Sequence, residues 1–372
     1  MRVLHVISDQ NVGGAGILLC NLLRHFSSDV KSLVALPQNS ALEERIHALG
    51  VPVFPLKHPC DRFSVRSVRE IGRLIRENRV ELIHANAALC ARLAARAEGI
   101  SVLHTRHCCY PPSGMERVPI LRGIQKQINQ TLSDQVIATA DAAARDLERL
   151  GVKRERIHVI INGSDEVRKV NDDELQAFCE CFGLKKEEIF IGICARLEAC
   201  KGQDVFLRAA KEVLQRMPKQ PIRFLIVGTG DEEANLRALA ETLGIAHKVC
   251  FTGFVRDMAP VYRLLRVNVN CSRGTETSCL ALSEGMSAGV PCVISDYGGN
   301  PAMIGSSRAG ILYPTGDWHA LADGICSILE DETKERAMRE AARERFETHF
   351  TAKRMAKEVR DVYCELLLKA QQ

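Results

Sequence analysis

The sequence predicts an α/β protein made of two doubly wound domains in series, each a parallel sheet covered by helices on both faces. Three observations support this class. The chain has 372 residues, enough for two domains of roughly 100–200 residues each. Short β-rich runs alternate with helical patterns from the first residue onward. The alternation pauses in the polar segment 162–173 and then starts again, so we expect an interdomain linker there.

The strands expected in the first domain are short apolar runs separated by helical stretches. They are RVLHVI (2–7), SLVAL (32–36), VPVFPL (51–56), ELIHA (81–85), SVLHTR (101–106), QVIAT (135–139) and IHVII (157–161). Helical crossovers between successive strands make the sheet parallel.

The second domain repeats this pattern and ends in a long helical run. Its expected strands are IFIGICA (189–195), RFLIVG (223–228), VCFTG (249–253), VNVNCS (267–272) and PCVIS (291–295). The residues at 349–351 predict a break between the last two helices. Ligands of open parallel sheets bind outside the carboxyl ends of the strands. We therefore expect the two sheets to face each other across a cleft lined by strand-to-helix loops.

The composition is that of an ordinary soluble protein, with 46% hydrophobic, 26% charged and 5% aromatic residues. The net charge is only +4, but residues 1–165 carry 22 Lys and Arg against 16 Asp and Glu. An anionic partner should therefore meet the first domain. Five Tyr and one Trp offer few stacking platforms, and no nucleic-acid motif is present, which argues against nucleic-acid binding.

The fifteen cysteines are scattered and form no C-x-x-C pair, so we expect buried free thiols in a reducing cytosol. The N-terminus MRVLHVIS lacks the apolar core of a signal peptide, and no run approaches 18 apolar residues. These features predict a cytoplasmic protein.

A glycine-rich loop, SDQNVGGAG, joins the first strand to the first helix. Gly13 and Gly14 would let backbone N–H groups approach an anion at the start of that helix. The loop lacks the G-x-G-x-x-G spacing of a dinucleotide fingerprint. The alternative is a simple tight turn.

Two further loops follow strands of the second domain. Arg196 and Lys201 flank the first, and two cations there suit the two phosphates of a nucleotide diphosphate, although they could also be solvated surface charges. Gly228 and Gly230 lie in the second, which begins like a Rossmann loop but has Glu233 in place of a third glycine. That departure gives little support to a nicotinamide dehydrogenase.

Two glutamates stand eight positions apart in RGTETSCLALSEGMSAGVP. The sequence reads as helical from residue 277, which separates Glu276 from Glu284 by roughly 12 Å at 1.5 Å per residue. Glycosidase carboxylates lie closer, at roughly 5–9.5 Å. The pair is better interpreted as two contacts to the two ends of one elongated ligand than as a catalytic acid and base.

These segments resemble the donor half of family 4 glycosyltransferases. The resemblance rests on ARLEACKGQDVFLRAA, VGTGDEEANLRALAETLGI, VCFTGFVRDMAPVY and SRGTETSCLALSEGMSAGVPCVISDYGGNPAMI, and VISDQNVGGAG and VIINGSD match the first half. It covers essentially the whole chain, and its R-x4-K and E-x7-E combination is specific. It implies a GT-B fold with an N-terminal acceptor-side domain at 1–165, joined by a returning C-terminal helix at 351–372, and a nucleotide-sugar donor domain at 166–350.

The resemblance also implies roles for individual residues. Glu284 would hold the ribose hydroxyls, and Glu276 would face the transferred sugar. Arg196 and Lys201 would neutralise the departing diphosphate, and Gly14 would approach the same phosphates from the first domain. Because these cations replace a metal electrostatically, no metal or cofactor is expected, and the nucleotide diphosphate sugar is a substrate.

Other positions carry weaker implications. His107 follows the fifth strand and would lie near the sugar and acceptor, with a satisfied loop histidine as the alternative. The backbone of Ser278, Cys279 and Leu280 would meet sugar hydroxyls, although the family usually has Phe–Gly where this chain has Ser–Cys. Asn300 stands where an acidic residue is commoner and could be a polar contact.

The function implied is that of a retaining glycosyltransferase with a hydroxyl acceptor, a glycan or glycolipid of cell-surface polysaccharide synthesis. The alternatives are a nucleotide-sugar epimerase or phosphorylase on the same fold, and a non-catalytic nucleotide-sugar-binding partner. We expect replacement of Glu276 or Lys201 by alanine to abolish transfer and leave the fold intact.

Contact with the inner face of a membrane is a further expectation. A helix over 62–79 would align five arginines along one face, which suits anionic lipid or, alternatively, a solvated surface; they are Arg62, Arg66, Arg69, Arg73 and Arg76. The basic amphipathic segment 114–130, close to the fifth strand, could belong to the acceptor mouth.

Overall fold

The computed structural model describes residues 1–10, 13–60, 63–109 and 119–370, without the side chains of residues 119, 121 and 122. The chain divides into two compact units. The first consists of residues 1–164 and 351–372, and the second of residues 165–350.

The first unit contains a parallel sheet of seven strands. The strands are β1 (Arg2–Ile7), β2 (Lys31–Pro37), β3 (Val53–Leu56), β4 (Leu82–Asn86), β5 (Ser101–Arg106), β6 (Gln135–Ala138) and β7 (Ile157–Val159). Their order is β3-β2-β1-β4-β5-β6-β7, so the direction of winding reverses between β1 and β4. A reversal of this kind opens a crevice at the carboxyl edge of the sheet.

Helices connect these strands. They are α1 (Gly14–His25), α2 (Glu43–His47), α3 (Val65–Glu77), α4 (Leu89–Glu98), α5 (Pro119–Thr131) and α6 (Asp141–Arg149). The amphipathic α3 places Ile71, Leu74 and Ile75 in the core and is capped by Ser64, whose side chain accepts a hydrogen bond from the Ser67 amide.

The second unit contains a parallel sheet of six strands. The strands are β8 (Ile189–Cys194), β9 (Ile222–Val227), β10 (Val249–Gly253), β11 (Leu265–Asn270), β12 (Cys292–Ser295) and β13 (Gly310–Tyr313), in the order β10-β9-β8-β11-β12-β13. The winding reverses between β8 and β11. The helices are α7 (Asp172–Phe182), α8 (Gln203–Arg216), α9 (Glu233–Thr242), α10 (Ala259–Leu264), α11 (Leu280–Ser287), α12 (Asn300–Ile304), α13 (Trp318–Leu329) and α14 (Glu332–His349).

The last helix, α15 (Ala352–Ala370), belongs to the first unit and packs on α1. Its entry lies beside the end of the first unit, where Ser164 and Thr351 form an isolated parallel bridge. Gly163 leaves room for this crossing, because a Cβ atom there would lie 2.4 Å from the carbonyl oxygen of Thr351. The break expected at 349–351 is therefore the point at which the chain returns.

Two histidines lie fully buried beneath α15. The ring centroids of His5 and His84 are 5.4 Å apart. His84 bonds through Nδ1 to the Tyr363 hydroxyl and through Nε2 to the Thr105 hydroxyl, each at 2.6 Å. Burial lowers the pKa of both rings, that of His5 to about 3. A neutral His84 therefore connects α15 to the sheet by hydrogen bonds, and the neutral His5 packs beside it.

Two sequence expectations need correction. The strand β13 was not predicted, because GILY is short and follows the polar stretch GSSRAG. The helix predicted from residue 277 begins only at Leu280. The three residues before it are mostly buried loop, and Thr275 has a positive φ of 59°, a conformation that does not continue into a helix. All fifteen cysteines are free, as expected.

Among the described residues, no helix is both long and apolar enough to cross a membrane.

Candidate functional site

The glycine loop of the first unit ends at the N-terminus of α1. Gly13 occupies the position before the helix in an extended conformation, and Gly14 is the first helical residue. A Cβ atom at Gly13 would lie 2.8 Å from Asp9 Oδ2, whereas one at Gly14 would meet nothing within 4 Å. Gly13 has no side chain with which to cap this terminus. Its amides therefore suit an anion.

His107 follows β5 and is held by a residue from the neighbouring strand. Its Nε2 lies 2.9 Å from Oδ1 of Asn86, the last residue of β4. Burial lowers the pKa of His107 to about 4, so the ring is neutral at physiological pH and its Nε2–H donates to Asn86. Asn86 was not predicted from the sequence, although a polar residue at the carboxyl end of a central strand was an available signal.

In the second unit, Lys201 and Glu276 form a buried ion pair. Lys201 Nζ lies 2.9 Å from Glu276 Oε2, and the Ser272 hydroxyl donates to the same oxygen at 2.6 Å. The two charged side chains are only 16% and 8% exposed. Burial opposes both charges, but their mutual attraction outweighs it, so the pKa of Lys201 is raised and the pKa of Glu276 is lowered.

The sheet order explains why these two residues meet across 75 positions of sequence. Lys201 lies in the short 3-10 turn after β8, and Glu276 lies in the loop after β11. The strands β8 and β11 are neighbours, so both loops leave the same edge of the sheet. Gly298 allows the chain to pass close to this loop, because a Cβ atom at residue 298 would lie 2.2 Å from the Glu276 carbonyl oxygen.

A buried polar network lies next to Glu276. Asn300 Nδ2 donates to Asn270 Oδ1 at 3.0 Å and to Ser295 Oγ at 3.1 Å, and Asn270 Oδ1 also accepts from the Ser272 amide. Asn300 is fully buried. Its Nδ2 therefore holds the ends of β11 and β12, whereas its Oδ1 has no hydrogen-bond partner among the described residues, and the expectation that Asn300 contacts the ligand stays a prediction.

Arg196 does not join this buried cluster. Its side chain is 68% exposed, and its Nη1 lies 2.5 Å from Glu198 Oε1. The two predicted phosphate cations therefore differ, since Lys201 is buried and Arg196 stands in solvent.

Glu284 lies on α11 and is held by the fully buried Tyr262 of α10. The Tyr262 hydroxyl donates to Glu284 Oε2 at 2.9 Å. Burial raises the pKa of Glu284 to about 7, although the tyrosine bond works in the opposite direction. Tyr262 was not predicted from the sequence, because nothing in the APVYRL segment shows that its hydroxyl reaches a carboxylate.

The Ser278–Cys279 pair precedes α11, with Ser278 buried and Cys279 half-buried. The Ser278 hydroxyl faces Met303 Sδ at 3.9 Å, and Asn270 Nδ2 donates to Cys279 Sγ at 3.5 Å. Burial raises the pKa of the Cys279 thiol to about 12, so it is protonated at physiological pH. Cys279 is the cap residue before Leu280, the first residue of α11, and the Cys279 side chain forms no capping hydrogen bond with the described residues. The amides that start this helix are suited to an anion or to hydroxyl oxygens.

Gly228 and Gly230 have a packing role in the structure. A Cβ atom at Gly228 would lie 2.1 Å from the Ala195 carbonyl oxygen, and one at Gly230 would lie 2.3 Å from that of Leu197. These glycines allow the loop after β9 to run against the loop that carries Arg196. Their assignment as donor-binding residues stays a prediction.

The structure thus joins Lys201 to Glu276 directly and joins Glu284 to Tyr262, all in the second unit. Within the described residues, no group of three or more His, Cys, Asp and Glu side chains is placed to hold a metal ion.

Comparison with known families assigns both halves of the chain. Residues 12–168 match the family model described as Glycosyltransferase Family 4, and residues 179–345 match the one described as Glycosyl transferases group 1.

Individual relatives agree with these matches. The chain is 27% identical over 327 residues to EpsD of Bacillus subtilis, which is named as a glycosyltransferase. This alignment covers 82% of each chain. It is 31% identical over 286 residues to the D-inositol 3-phosphate glycosyltransferase of Nocardia farcinica, covering 72% of this chain and 58% of that protein. The crystal structure of Anabaena Alr3699/HepE in complex with UDP superposes with a TM-score of 0.85 at 20% identity, covering 98% of this chain and 100% of that one.

Proposed function

The chain belongs to the group 1 glycosyltransferases and has their two-domain GT-B fold, and from this premise we propose the reaction that it catalyses. A sugar passes from a nucleoside diphosphate sugar to a hydroxyl group of a glycan or glycolipid acceptor in cell-surface polysaccharide synthesis, with retention of configuration. The observation that carries this proposal is the buried Lys201–Glu276 pair at the carboxyl edge of the second sheet.

Lys201 would stabilise the leaving nucleoside diphosphate. Charge develops on the diphosphate as the bond to the anomeric carbon breaks, and a cation fixed beforehand in a water-poor loop stabilises that charge without reorganising. Glu276 holds Lys201 in this position before substrate binds. Arg196, at the same edge but in solvent, would contribute a second and weaker positive charge.

Glu284 would hold the nucleoside by its ribose hydroxyls. Its ionised carboxylate can accept from both hydroxyls, while Tyr262 fixes the orientation of the carboxylate. The start of α11 and its preceding backbone, at Ser278–Leu280, would meet the oxygens of the diphosphate and the sugar.

The proton of the acceptor hydroxyl would pass to an oxygen of the departing phosphate on the same face of the sugar. The acceptor oxygen then bonds to the anomeric carbon from the side that the phosphate leaves, which retains the configuration. His107 is neutral, with a pKa of about 4, so it would position the acceptor or sugar by hydrogen bonding rather than donate a proton at neutral pH.

The solved structures suggest the nucleotide class to test first. Those of Anabaena Alr3699/HepE contain UDP, or UDP and glucose, or UDP-glucose. UDP-hexoses are therefore the first donors to try. The reaction as proposed requires no metal, because Lys201 and Arg196 supply the positive charge, so EDTA should leave the rate unchanged.

The test is a transfer assay with purified full-length protein, a panel of UDP-hexoses, and glycan and lipid-linked acceptors. We expect formation of a new glycoside with retained configuration, and its loss in the Glu276→Gln variant. A donor that is epimerised without transfer, or bound without reaction in the presence of every acceptor, would contradict the proposal.

A further inference from the structure

The exposed apolar side chains of the first unit are concentrated on two connections. Among its described residues, six large apolar side chains are exposed. Five of them follow β3 or β5, both of which end at the carboxyl edge of the sheet; they are Phe63, Val65, Ile120, Ile124 and Ile128, exposed by 68%, 49%, 75%, 53% and 42%. The sixth is Leu368, near the C-terminus.

Helix α5 presents one of these clusters. Ile120, Ile124 and Ile128 recur at steps of four and so lie along one face. The helix is held at its C-terminal end, where Arg96 Nε donates to the Thr131 carbonyl at 2.7 Å and Asn129 Nδ2 donates to the Leu150 carbonyl at 3.2 Å. Because all three isoleucines are exposed, no element in the described part of the chain covers this stripe.

The other cluster lies at the start of α3. Phe63 and Val65 are exposed beside Arg66 and Arg69, which form no ion pair with any described residue. The expected stripe of five arginines is therefore shorter than its sequence suggests. Arg73 and Arg76, in the second half of α3, pair with Glu77 and with Glu98 of α4, which offset their charges. Arg62 is outside the described residues.

The two clusters belong to one face of the unit. The strands β3, β4, β5 and β6 follow one another in the same direction across the sheet, so right-handed crossovers place α3, α4 and α5 on the same side of it. Helix α4 packs against α3, and its Arg96 bonds to the last turn of α5. The sequence of α5 contains Arg122 and Lys126 and no acidic residue. Exposed apolar side chains accompanied by unpaired cations are the pattern of a surface that rests on an anionic membrane.

We propose that this face, formed by the starts of α3 and α5, docks on an anionic lipid surface. The isoleucines and Phe63 enter the boundary between headgroups and acyl chains, and Arg66 and Arg69 bind lipid phosphates. The use of this docking to present a lipid-linked acceptor rests on the proposed function. The docking itself does not, because it needs no donor and no turnover.

The test is co-sedimentation of the full chain with vesicles of pure phosphatidylcholine or of phosphatidylcholine mixed with phosphatidylglycerol. We expect binding to the mixed vesicles that weakens as salt is raised. Replacing Ile120, Ile124 and Ile128 together by serine should lower the partition coefficient by at least about tenfold. The Arg66→Glu, Arg69→Glu double variant should abolish the preference for anionic vesicles.

Matched control variants carry the same kinds of change elsewhere. Leu312→Ser with Leu368→Ser removes two other exposed apolar side chains, and Lys219→Glu with Arg336→Glu reverses two other surface charges. All variants change exposed side chains, and circular dichroism checks that they fold. Absence of wild-type binding to either vesicle, or equal losses in control and patch variants, would overturn the proposal. So would a wild-type dimer that the isoleucine variant converts to a monomer without any vesicle binding.

Discussion

The pH dependence of nucleotide binding should follow the ionisation of Glu284. Burial raises the pKa of this carboxyl to about 7, and we expect binding to require its ionised form, in which both oxygens accept hydrogen bonds from the ribose hydroxyls and neither carries a competing proton. For a pKa of about 7, the ionised fraction falls from about nine-tenths at pH 8 to about one-tenth at pH 6. The dissociation constant of a nucleoside diphosphate sugar should therefore rise about tenfold over that range.

The Tyr262→Phe variant sharpens this prediction. The tyrosine hydroxyl donates to Glu284 Oε2 at 2.9 Å and so favours the ionised form. A hydrogen bond to a charged group contributes about 1.5–3 kcal/mol, and one pKa unit corresponds to about 1.36 kcal/mol. Removing the hydroxyl should therefore move the midpoint of the pH dependence upward by about one to two pH units.

Isothermal titration calorimetry at a series of pH values would measure this effect. The Glu284→Gln variant is the control, because any dependence that it retains comes from the nucleotide or from other groups. Since the folded-state pKa of Glu284 lies above its ordinary value of 4.5, the folded protein binds this proton more strongly. The carboxyl therefore lowers the free energy of unfolding as pH rises from 4.5 to about 7, and Glu284→Gln should melt no lower than wild type at pH 8. Equal pH profiles in wild type and Glu284→Gln would refute the reasoning.

Three further predictions concern the other buried polar groups. Lys201→Ala leaves the Glu276 carboxylate buried without its partner and should cost about 3–5 kcal/mol of stability. The Lys201→Met, Glu276→Gln double variant should recover most of this stability but stay inactive. Thermal melting and transfer assays would measure the two effects. Asn86→Ala should lower kcat about tenfold or more by releasing the His107 ring. Asn86→Asp keeps an acceptor oxygen and should therefore restore activity. Wild-type turnover in Asn86→Ala would contradict this role of Asn86. The pKa of His5 falls to about 3 in the folded state from an ordinary value of 6.5. The stability that the neutral ring contributes is therefore complete above pH 6.5 and is lost as the pH falls toward 3. Acid unfolding monitored by circular dichroism should start at a lower pH in His5→Phe.

The fold could be predicted from the sequence because hydrophobic patterning is local. Each of the twelve expected strands overlaps an observed one, since each is an apolar run bounded by turn residues. The missed β13 contains a single short apolar run, ILY, directly after the polar stretch GSSRAG, so nothing local distinguishes it from a loop. The late start of α11 depends on the buried loop before it, including the positive φ of Thr275, and such tertiary effects have no local signature.

The site was only partly predictable. The R-x4-K and E-x7-E spacings pointed to Lys201, Glu276 and Glu284, but not to the contact between Lys201 and Glu276, which depends on the sheet placing β8 beside β11. Tyr262 and Asn86 were missed, because their bonds link residues brought together only by folding.

The buried ion pair also changes one expectation about variants. A single alanine replacement at Lys201 or Glu276 leaves the other charge buried without its partner. A loss of activity in either variant would therefore be combined with a loss of stability. The Lys201→Met, Glu276→Gln double variant removes both charges and keeps the side-chain volumes similar, so it separates the two effects better than either single replacement.

The most direct test of the central claim is calorimetric titration of UDP-hexoses into the wild-type protein and into Glu284→Gln at pH 8. We predict saturable binding of at least one UDP-hexose to the wild type and binding weakened by at least about tenfold in the variant, in keeping with the loss of a charged hydrogen-bond acceptor. Equal affinity in the two proteins would contradict the assignment of the second unit's carboxyl edge as the donor site.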